Sequence, residues 1–321
     1  MKEIRIPVLL FLLSLAAVSC STRNAGEDRA GGIDKIVCTT GMIADAVQHV
    51  VGNHAEVEAL MGPGVDPHLY KATQGDLQRL NRADAIFYNG LHLEGKMGEV
   101  LEKLGRLKPV IPVGEAIPES ELINTTSYAG AYDPHLWFDV ALWSEVVAYI
   151  GEKMQELDPE HAAEYEENAR RYQQELLALD QRIGKQIATI TEQQRVMITA
   201  HDAFEYFGRA YGIKVRGLQG ISTLSEYGLK DVTDLVDFIV GRKIRAVFVE
   251  SSVPRKALEA VVEGCAGKGH KVKIGGTLFS DAMGAAGTPE GTYVGMVQHN
   301  VRTIVESLGG STAELVSNNK D

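Results

Sequence analysis

The stretch DPEHAAEYEENARRYQQELLALDQRIGKQIATI, residues 158–190, decides the fold. It opens with Asp158-Pro159, a good helix start because aspartate caps a first turn and proline fits its first position. No proline follows, and apolar side chains recur every three or four residues: Tyr165, Ala169, Tyr172, Leu176, Leu179, Ile183, Ile187 and Ile190. At about 1.5 Å per residue, the predicted helix is roughly 45–50 Å long and can link two lobes.

Short apolar runs alternate with helical spacing on both sides of this stretch. Before it, strands are predicted near residues 33–41, 55–61, 85–88 and 110–113; after it, near 196–199, 214–218, 246–250 and 272–274. This alternation is typical of parallel sheets with crossover helices. The predicted fold class is therefore α/β, with two lobes, each a four-stranded parallel sheet with flanking helices, linked by one long spine helix. A coiled-coil helix is the alternative for 158–190, but the α/β units on both sides disfavour it.

The first residues are typical of a secretory signal rather than of the fold. Lys2 and Arg5 precede a short apolar run, residues 6–18, which is too short to span a bilayer as a mature helix. The letters AVSC, residues 17–20, resemble a bacterial lipobox, although Ala17 stands where leucine is usual. We expect Cys20 to be lipidated and to tether the chain to a membrane surface. A plain cleaved signal with an incidental cysteine is the alternative.

The bulk composition fits a two-lobed protein outside the nucleic-acid-binding classes. The chain has 321 residues and a formal net charge of −11, which disfavours nucleic acid as a partner. Cys38 and Cys265 are expected to be buried and unpaired, and the protein to be a monomer. The predicted organisation is a signal peptide at 1–19, a flexible lipid-anchored leash at 20–32, an N-terminal α/β lobe at 33–157, the linking helix at 158–191 and a C-terminal α/β lobe at 192–321.

Three histidines follow predicted strands, where open α/β sheets place their ligands. They are His68 in GVDPHLY (64–70), His135 in YDPHLWF (132–138) and His201 in TAHDAF (199–204). Two of them share the triplet Asp-Pro-His, in which proline fixes the backbone and aspartate is placed to accept from the ring or from loop amides. Asp281, in GGTLFSDAMG (275–284), is a fourth candidate, with an ordinary loop aspartate as the alternative. His92 also follows a strand but is not expected to be a ligand.

Longer motifs carry a family resemblance. GMIADAV (41–47), LMGPGVDPHLY (60–70), DPHLWFDV (133–140), TAHDAFEYFGRAYG (199–212) and GGTLFSDAMG (275–284) resemble the TroA-like, cluster A-I, metal-binding lipoproteins of bacterial zinc and manganese ABC importers. The resemblance runs from residue 36 to the end. It implies a metal between two lobes, an ABC importer permease as partner, and His68, His135, His201 and Asp281 as ligands. Some members carry glutamate where this chain has His201.

Three imidazoles and one carboxylate suit zinc, manganese or iron(II), and the lack of a sulfur ligand argues against copper(I). A monodentate Asp281 would give a tetrahedral, zinc-like site, and a bidentate one would give five-coordination. Dedicated zinc members often have a histidine-rich loop before the second histidine, whereas residues 115–133 contain no histidine. Because protons compete for the histidines, metal affinity is expected to fall below about pH 6.

The leading functional prediction is capture and delivery of zinc or manganese in the periplasm or at the cell surface, without catalysis. The alternative is a zinc hydrolase, in which Glu250 would be the general base. The four-ligand set and the lack of an H-E-x-x-H pair disfavour it. A nucleotide-binding protein is disfavoured because neither G-x-G-x-x-G nor a P-loop follows the first strand. A surface adhesin with a structural metal remains compatible with the sequence.

Overall fold

The computed structural model describes residues 32–125 and 130–312. The predicted signal peptide, Cys20 and the leash up to residue 31 lie outside these residues. The strands are β1 Lys35–Cys38, β2 Glu56–Ala59, β3 Ala85–Tyr88, β4 Val110–Pro112, β5 Val196–His201, β6 Lys214–Gln219, β7 Ala246–Glu250 and β8 Lys273–Leu278. The helices are α1 Gly41–Val51, α2 Gln74–Arg82, α3 Gly98–Gly105, α4 Val140–Leu157, α5 Ala162–Ile187, α6 Glu205–Tyr211, α7 Leu229–Arg242, α8 Lys256–Gly267 and α9 Tyr293–Leu308. Within these residues no helix is both long and apolar enough to cross a bilayer.

The first lobe contains the predicted four-stranded parallel sheet, in the order β2-β1-β3-β4. The central strands β1 and β3 read KIVC and AIFY, and their apolar side chains are buried. Near-continuous apolar strands are expected here because helices cover both faces of a parallel sheet. The strand order reverses beside β1, so the loops after β1 and β3 diverge and leave a crevice at the carboxyl ends of the strands.

The second lobe has the four predicted strands, but they form two parallel pairs, β5-β6 and β7-β8. β5 packs beside β7. At the carboxyl end of β5, the N–H groups of Ala200 and His201 donate to Oε1 of Glu250, at 2.7 and 3.0 Å. At this end of β5, a side chain from β7 therefore takes two N–H groups that a backbone ladder between β5 and β7 could use, and the second lobe has two strand pairs instead of the predicted single sheet.

The spine helix α5 begins later than the sequence predicts. A 3₁₀ turn over Pro159–His161 precedes it, and all eight apolar positions of the predicted stripe are buried. The prediction that the Asp158 side chain caps the helix is wrong. Its Oδ2 accepts from the Tyr165 hydroxyl at 2.6 Å and lies 2.7 Å from Nδ1 of His161. With 26 residues, α5 is about 39 Å long.

The spine packs against both lobes, which lie in one compact unit beginning at Gly32. It contacts α4 and α1 from the first lobe and α9 and α6 from the second. One carboxylate joins three of these helices: Asp45 on α1 accepts from the Tyr172 hydroxyl on α5 at 2.7 Å and from the Tyr293 N–H at the start of α9 at 3.2 Å. The lobes are thus fixed to a common helix as well as to each other.

Both cysteines of the described residues, Cys38 and Cys265, are buried and unpaired, as predicted. Burial raises the pKa of the Cys38 thiol, so this thiol stays protonated and packs as a small apolar group.

Candidate metal centre

The four candidate residues meet in the cleft between the lobes. His68 lies in the loop after β2, and His135 immediately precedes the 3₁₀ turn Leu136–Phe138 that leads into α4. His201 is the last residue of β5, whereas the sequence analysis placed it after the end of that strand. Asp281 follows β8. All four side chains are buried. They converge because the carboxyl ends of the strands of both lobes face this cleft.

The spacing of the side-chain atoms is that of a single coordination shell. One nitrogen or oxygen from each of the four residues lies within 4.8 Å of the others. Nε2 of His135 is 3.5 Å from Oδ1 of Asp281, and Nε2 of His201 is 3.4 Å from Oδ2 of Asp281. Ligand bonds of about 2.1 Å in a tetrahedron place neighbouring ligand atoms about 3.4 Å apart. The two histidine–aspartate pairs are therefore at the separation that one small divalent cation requires, and the His68 donor lies within 4.8 Å of the others.

The inward-facing atoms are also unsatisfied. Nε2 of His68, His135 and His201 and Oδ1 of Asp281 are buried and have no hydrogen-bond partner among the described residues. Buried polar atoms without partners are rare because each one costs desolvation free energy without compensation. Four of them around one point form a donor set that suits a bound cation.

Both predicted aspartate partners are in place, in different roles. Oδ1 of Asp133 is 2.7 Å from Nδ1 of His135 and also accepts from the His135 N–H at 2.9 Å. Such a carboxylate holds the proton on Nδ1 and leaves the Nε2 lone pair free. Asp66 accepts instead from the His68 backbone N–H at 2.9 Å, so it fixes the loop rather than the ring.

Glu250 has a role that sequence reasoning missed. Its Oε2 lies 2.6 Å from Nδ1 of His201, while Oε1 takes the two β5 N–H groups. Glu250 thus places a carboxylate against Nδ1 of His201, as Asp133 does against Nδ1 of His135, although only the Asp133 contact has hydrogen-bond geometry. The sequence does contain a signal for this role: Glu250 is the last residue of the apolar strand AVFVE, and a buried charge needs a partner. β6 passes close by only because residue 217 is glycine: a Cβ there would lie 2.5 Å from the carbonyl carbon of His201.

A second buried carboxylate, Glu94, organises the loops of the first lobe. It accepts from the Thr39 hydroxyl at 2.7 Å and from the N–H groups of Asn89 and Gly90 at 2.7 and 3.2 Å. The Asn89 side chain in turn donates to the Pro134 carbonyl at 3.0 Å. Glu94, which the sequence analysis did not single out, therefore supports the loop that presents His135.

The pKa values of the four residues are shifted in different directions. Burial raises the pKa of a carboxyl group, but the adjacent His201 and His135 outweigh it and hold the pKa of Asp281 well below its usual range. Burial lowers the pKa of His68 to about 3, and the neighbouring histidines add to this. For His201, Glu250 and Asp281 outweigh burial and raise the pKa well above its usual value, and Asp133 with Asp281 does the same for His135. The carboxylates thus favour positive charge on the two histidines that face Asp281.

Comparison with known proteins identifies the family of this chain. Residues 36–307 match the profile of the family described as zinc-uptake complex component A, periplasmic (ZnuA). The chain belongs to this family. It is 50% identical over 295 residues to the manganese-binding lipoprotein MntA of Bacillus subtilis (strain 168), a match that covers 92% of this chain and 96% of that protein.

Solved structures agree in fold as well as in sequence. The periplasmic zinc-binding protein TroA from Treponema pallidum aligns with a TM-score of 0.84 at 50% identity, covering 86% of this chain and 99% of that one. The Fe(III)-bound YtgA from Chlamydia trachomatis aligns with a TM-score of 0.79 at 26% identity, covering 87% of this chain and 99% of that one. The two-lobed α/β fold predicted from the sequence is confirmed.

Buried hydrogen bonds join the lobes beside His135. Nε1 of Trp137 donates to the Ser280 carbonyl at 3.0 Å, next to Asp281. The hydroxyl of Tyr206, on α6 just after β5, donates to the Asp133 carbonyl at 3.1 Å, and the hydroxyl of Tyr293 donates to the Trp137 carbonyl at 2.7 Å. These bonds connect the segments that carry His135, His201 and Asp281.

Trp137→Phe should lower the free energy of unfolding of the metal-free protein more than Trp143→Phe does. Both indoles are buried, but Nε1 of Trp143 has no hydrogen-bond partner among the described residues, so it is a matched control. The difference should be about 1–3 kcal/mol, because the Ser280 carbonyl loses its donor. Denaturant unfolding of both variants measures it. Equal losses of unfolding free energy in the two variants would show that the Trp137–Ser280 hydrogen bond adds no stability beyond that of indole packing.

Proposed function

We propose that this protein is an extracytoplasmic solute-binding protein that holds one zinc or manganese ion between its lobes and delivers it to an ABC importer. The observation that carries the proposal is the set of three imidazole nitrogens and one carboxylate oxygen, which are buried, have no hydrogen-bond partner among the described residues and lie within 4.8 Å of one another. The names of its relatives point the same way, since they describe manganese-binding, zinc-binding and iron-bound proteins.

In this proposal the ligands are Nε2 of His68, His135 and His201 with a carboxylate oxygen of Asp281. The Ser252 hydroxyl donates to Oδ2 of Asp281 at 3.2 Å, which leaves Oδ1 as the oxygen without another partner. Zinc should bind more tightly than manganese in an isolated N/O site, and iron(II) suits the same donors. The ion is cargo, so the site must release it as well as bind it.

The hydrolase alternative is disfavoured by the position of Glu250. A general base must reach a metal-bound water, but both oxygens of Glu250 already face Nδ1 of His201 and the β5 N–H groups. Four protein ligands also leave no open position for the water that catalytic zinc activates. Capture and delivery of a metal ion need neither a general base nor an open coordination position.

The remaining features of the proposal concern location and assembly. The permease and ATPase of an ABC importer are the partners of this class of protein. We place the lobes at 33–157 and 192–321 and the linking helix at 158–191, with a lipid anchor on Cys20, a leash at 20–32 and a monomeric body. The AVSC letters at 17–20 and the short apolar run before them support the anchor.

Elemental analysis of the mature protein, purified from medium that contains both zinc and manganese, tests the site directly. The wild type should carry about one zinc or manganese ion per chain, and His68→Ala and Asp281→Ala should lose it because each removes one ligand of four. His270→Ala, outside the cluster, is the control and should keep its metal. Metal retained in both ligand variants, or absent from the wild type, would refute the assignment.

Glu250→Gln should weaken metal binding about 10- to 100-fold while the protein stays folded. Glutamine keeps an oxygen for the β5 N–H groups but removes the carboxylate from Nδ1 of His201. Because Glu250 raises the pKa of His201, its loss also weakens proton competition, so the gap between variant and wild type should narrow as pH falls from 8 to 6. Chelator competition titrations measure both effects, with the exposed Glu263→Gln as control. A gap independent of pH would mean that Glu250 acts only on the backbone.

Membrane fractionation of cells that express the full chain tests the anchor. Wild-type protein should sediment with membranes, and Cys20→Ser should appear in the soluble extracytoplasmic fraction because it lacks the acylated thiol. Cys265→Ser is the matched control and should stay with the membranes. A soluble wild type would contradict lipidation at Cys20.

A further inference from the structure

The end of the second lobe that lies away from the cleft is rich in positive charge. The paired strands of this lobe are parallel, and β5 and β7 both end at the cleft, so the amino ends of its strands lie at the opposite edge. The turns before β7 and β8 lie at this edge too. Six exposed cationic side chains occupy it, and we call them the basic end: Lys214, Arg242, Lys243, Arg245, Lys271 and Lys273.

An aromatic ring gathers some of this charge. Phe238 on α7 lies 5.4 Å from Nζ of Lys214 and 5.0 Å from Cζ of Arg242, measured to the ring centroid. Cζ of Arg216, a half-buried neighbour on β6, lies 4.7 Å from the same centroid. Attraction between a cation and the face of a ring offsets part of the repulsion among like charges. The ring therefore lets cations from two elements lie close together.

The cations of the basic end lack the ion pairs that cations of the first lobe make. Lys35 pairs with Glu56 at 3.6 Å, and Arg106 pairs with Glu102 at 2.6 Å. Among the described residues, no carboxylate lies within the 4.0 Å of an ion pair from any of the six cations. The chain as a whole has a net charge of −11, so the basic end is a positive surface on a negative protein.

Local effects explain single cations at this end but not the whole group. Helix C-termini attract cations, and Arg195 is an example, since it donates to the Ala188 and Ile190 carbonyls just after α5, at 3.0 and 2.9 Å. Lysine also protects an edge strand from pairing. Neither effect requires six exposed cations beside only a few carboxylates, which at this end are Glu192, Glu263 and Glu306, with Asp237 paired to Lys268.

The start of the described chain bears on what the basic end can meet. Gly32 lies beside Asp158 at the start of the spine, where a Cβ on the glycine would be 3.9 Å from the carboxylate oxygens. The basic end lies near the other end of the spine, since the Lys214 N–H donates to the Arg195 carbonyl. The spine has 26 residues and is about 39 Å long. The twelve steps from Cys20 to Gly32 span at most roughly 40 Å, so a chain tethered at Cys20 can bring its basic end to the same bilayer.

We propose that the basic end is a docking surface for the headgroups of anionic phospholipids. The protein then rests on the bilayer at two places, the lipid on Cys20 and the basic end, a pairing that strengthens membrane attachment. This inference rests on the tether of the proposed function and not on the bound metal. Because the strands of the second lobe run from the basic end to the cleft, docking keeps the cleft off the headgroups by about 20 Å, the length of the six-residue strand β6.

Vesicle cosedimentation of the full chain with Cys20→Ser, which removes the lipid, tests the surface itself. The protein should bind vesicles that contain phosphatidylglycerol, and binding should fall at least tenfold between about 20 and 300 mM salt because salt screens exposed charges. Vesicles of phosphatidylcholine alone should bind little. Equal binding to both kinds of vesicle, or no binding to either at low salt, would overturn the proposal.

Charge variants locate the contact on the protein. Each cation near an anionic surface contributes about fivefold to binding, so Lys271→Gln with Lys273→Gln should weaken it about 25-fold, and Lys271→Glu with Lys273→Glu further. Lys103→Glu with Arg106→Glu, on α3 of the first lobe, changes the net charge equally and should stay within about twofold of the parent. All variants should keep their unfolding temperature and metal content. Equal losses in the two lobes would show that net charge acts without a docking surface.

A fluorescent label tests the orientation. Cys38 and Cys265 are buried, so a dye reacts selectively with a cysteine introduced at an exposed position. On phosphatidylglycerol vesicles with nitroxide-labelled headgroups, the dye on Gln193→Cys, beside the basic end, should be quenched more strongly than the dye on Glu226→Cys, in the loop on the cleft side. Equal quenching would overturn the orientation.

Failure of this inference is distinguishable from failure of the proposed function. A wild type without bound metal contradicts metal capture, and a soluble wild type contradicts the tether. Neither result changes what vesicle binding by the Cys20→Ser protein says about the basic end.

Discussion

Asp281 is an ionised carboxylate at the bottom of a cleft, surrounded by three histidines and nearly removed from water. Such a group is very costly to bury unless opposite charge compensates it. The carboxylates beside His135 and His201 raise the pKa values of these two histidines, which favours positive charge next to Asp281. A divalent cation supplies more of it and satisfies four unpartnered atoms at once. Metal binding is therefore linked to the stability of the closed cleft, and protons and metal compete for one place.

Two carboxylates behind the histidine rings orient the nitrogens that face the metal site. Asp133 and Glu250 each face the Nδ1 atom of a ligand candidate, so the free lone pairs point inward. The same two residues also bind backbone N–H groups, which ties ring orientation to the loop and strand that carry each histidine. His68 has no such carboxylate on its ring among the described contacts, and its pKa is lowered rather than raised. It is the histidine that protons compete for least.

Local periodicity was enough to predict the two-lobed α/β architecture, and local motifs with the family resemblance that they carry pointed to the four residues that lie together in the structure. The spine stripe from Tyr165 to Ile190 follows from helical spacing, and the Asp-Pro-His triplets carry their own orienting aspartates. The sequence could not predict contacts whose partners are distant along the chain. Glu250 meets His201 across 49 residues, and Thr223 meets Asp66 across 157. Asp158 was predicted as a cap because its local context suits one, but the hydroxyl of Tyr165 and the ring of His161 compete for its oxygens.

A carrier has to bind tightly enough to capture its cargo and loosely enough to give it up. In the group of His135, His201 and Asp281, each histidine Nε2 lies 3.4–3.5 Å from an Asp281 oxygen, a spacing that suits zinc, manganese and iron(II) alike. The intrinsic order of affinities for such nitrogen and oxygen donors favours zinc over manganese and iron(II). The ion that the protein delivers therefore depends on which metal is available to it as well as on the donors of the site.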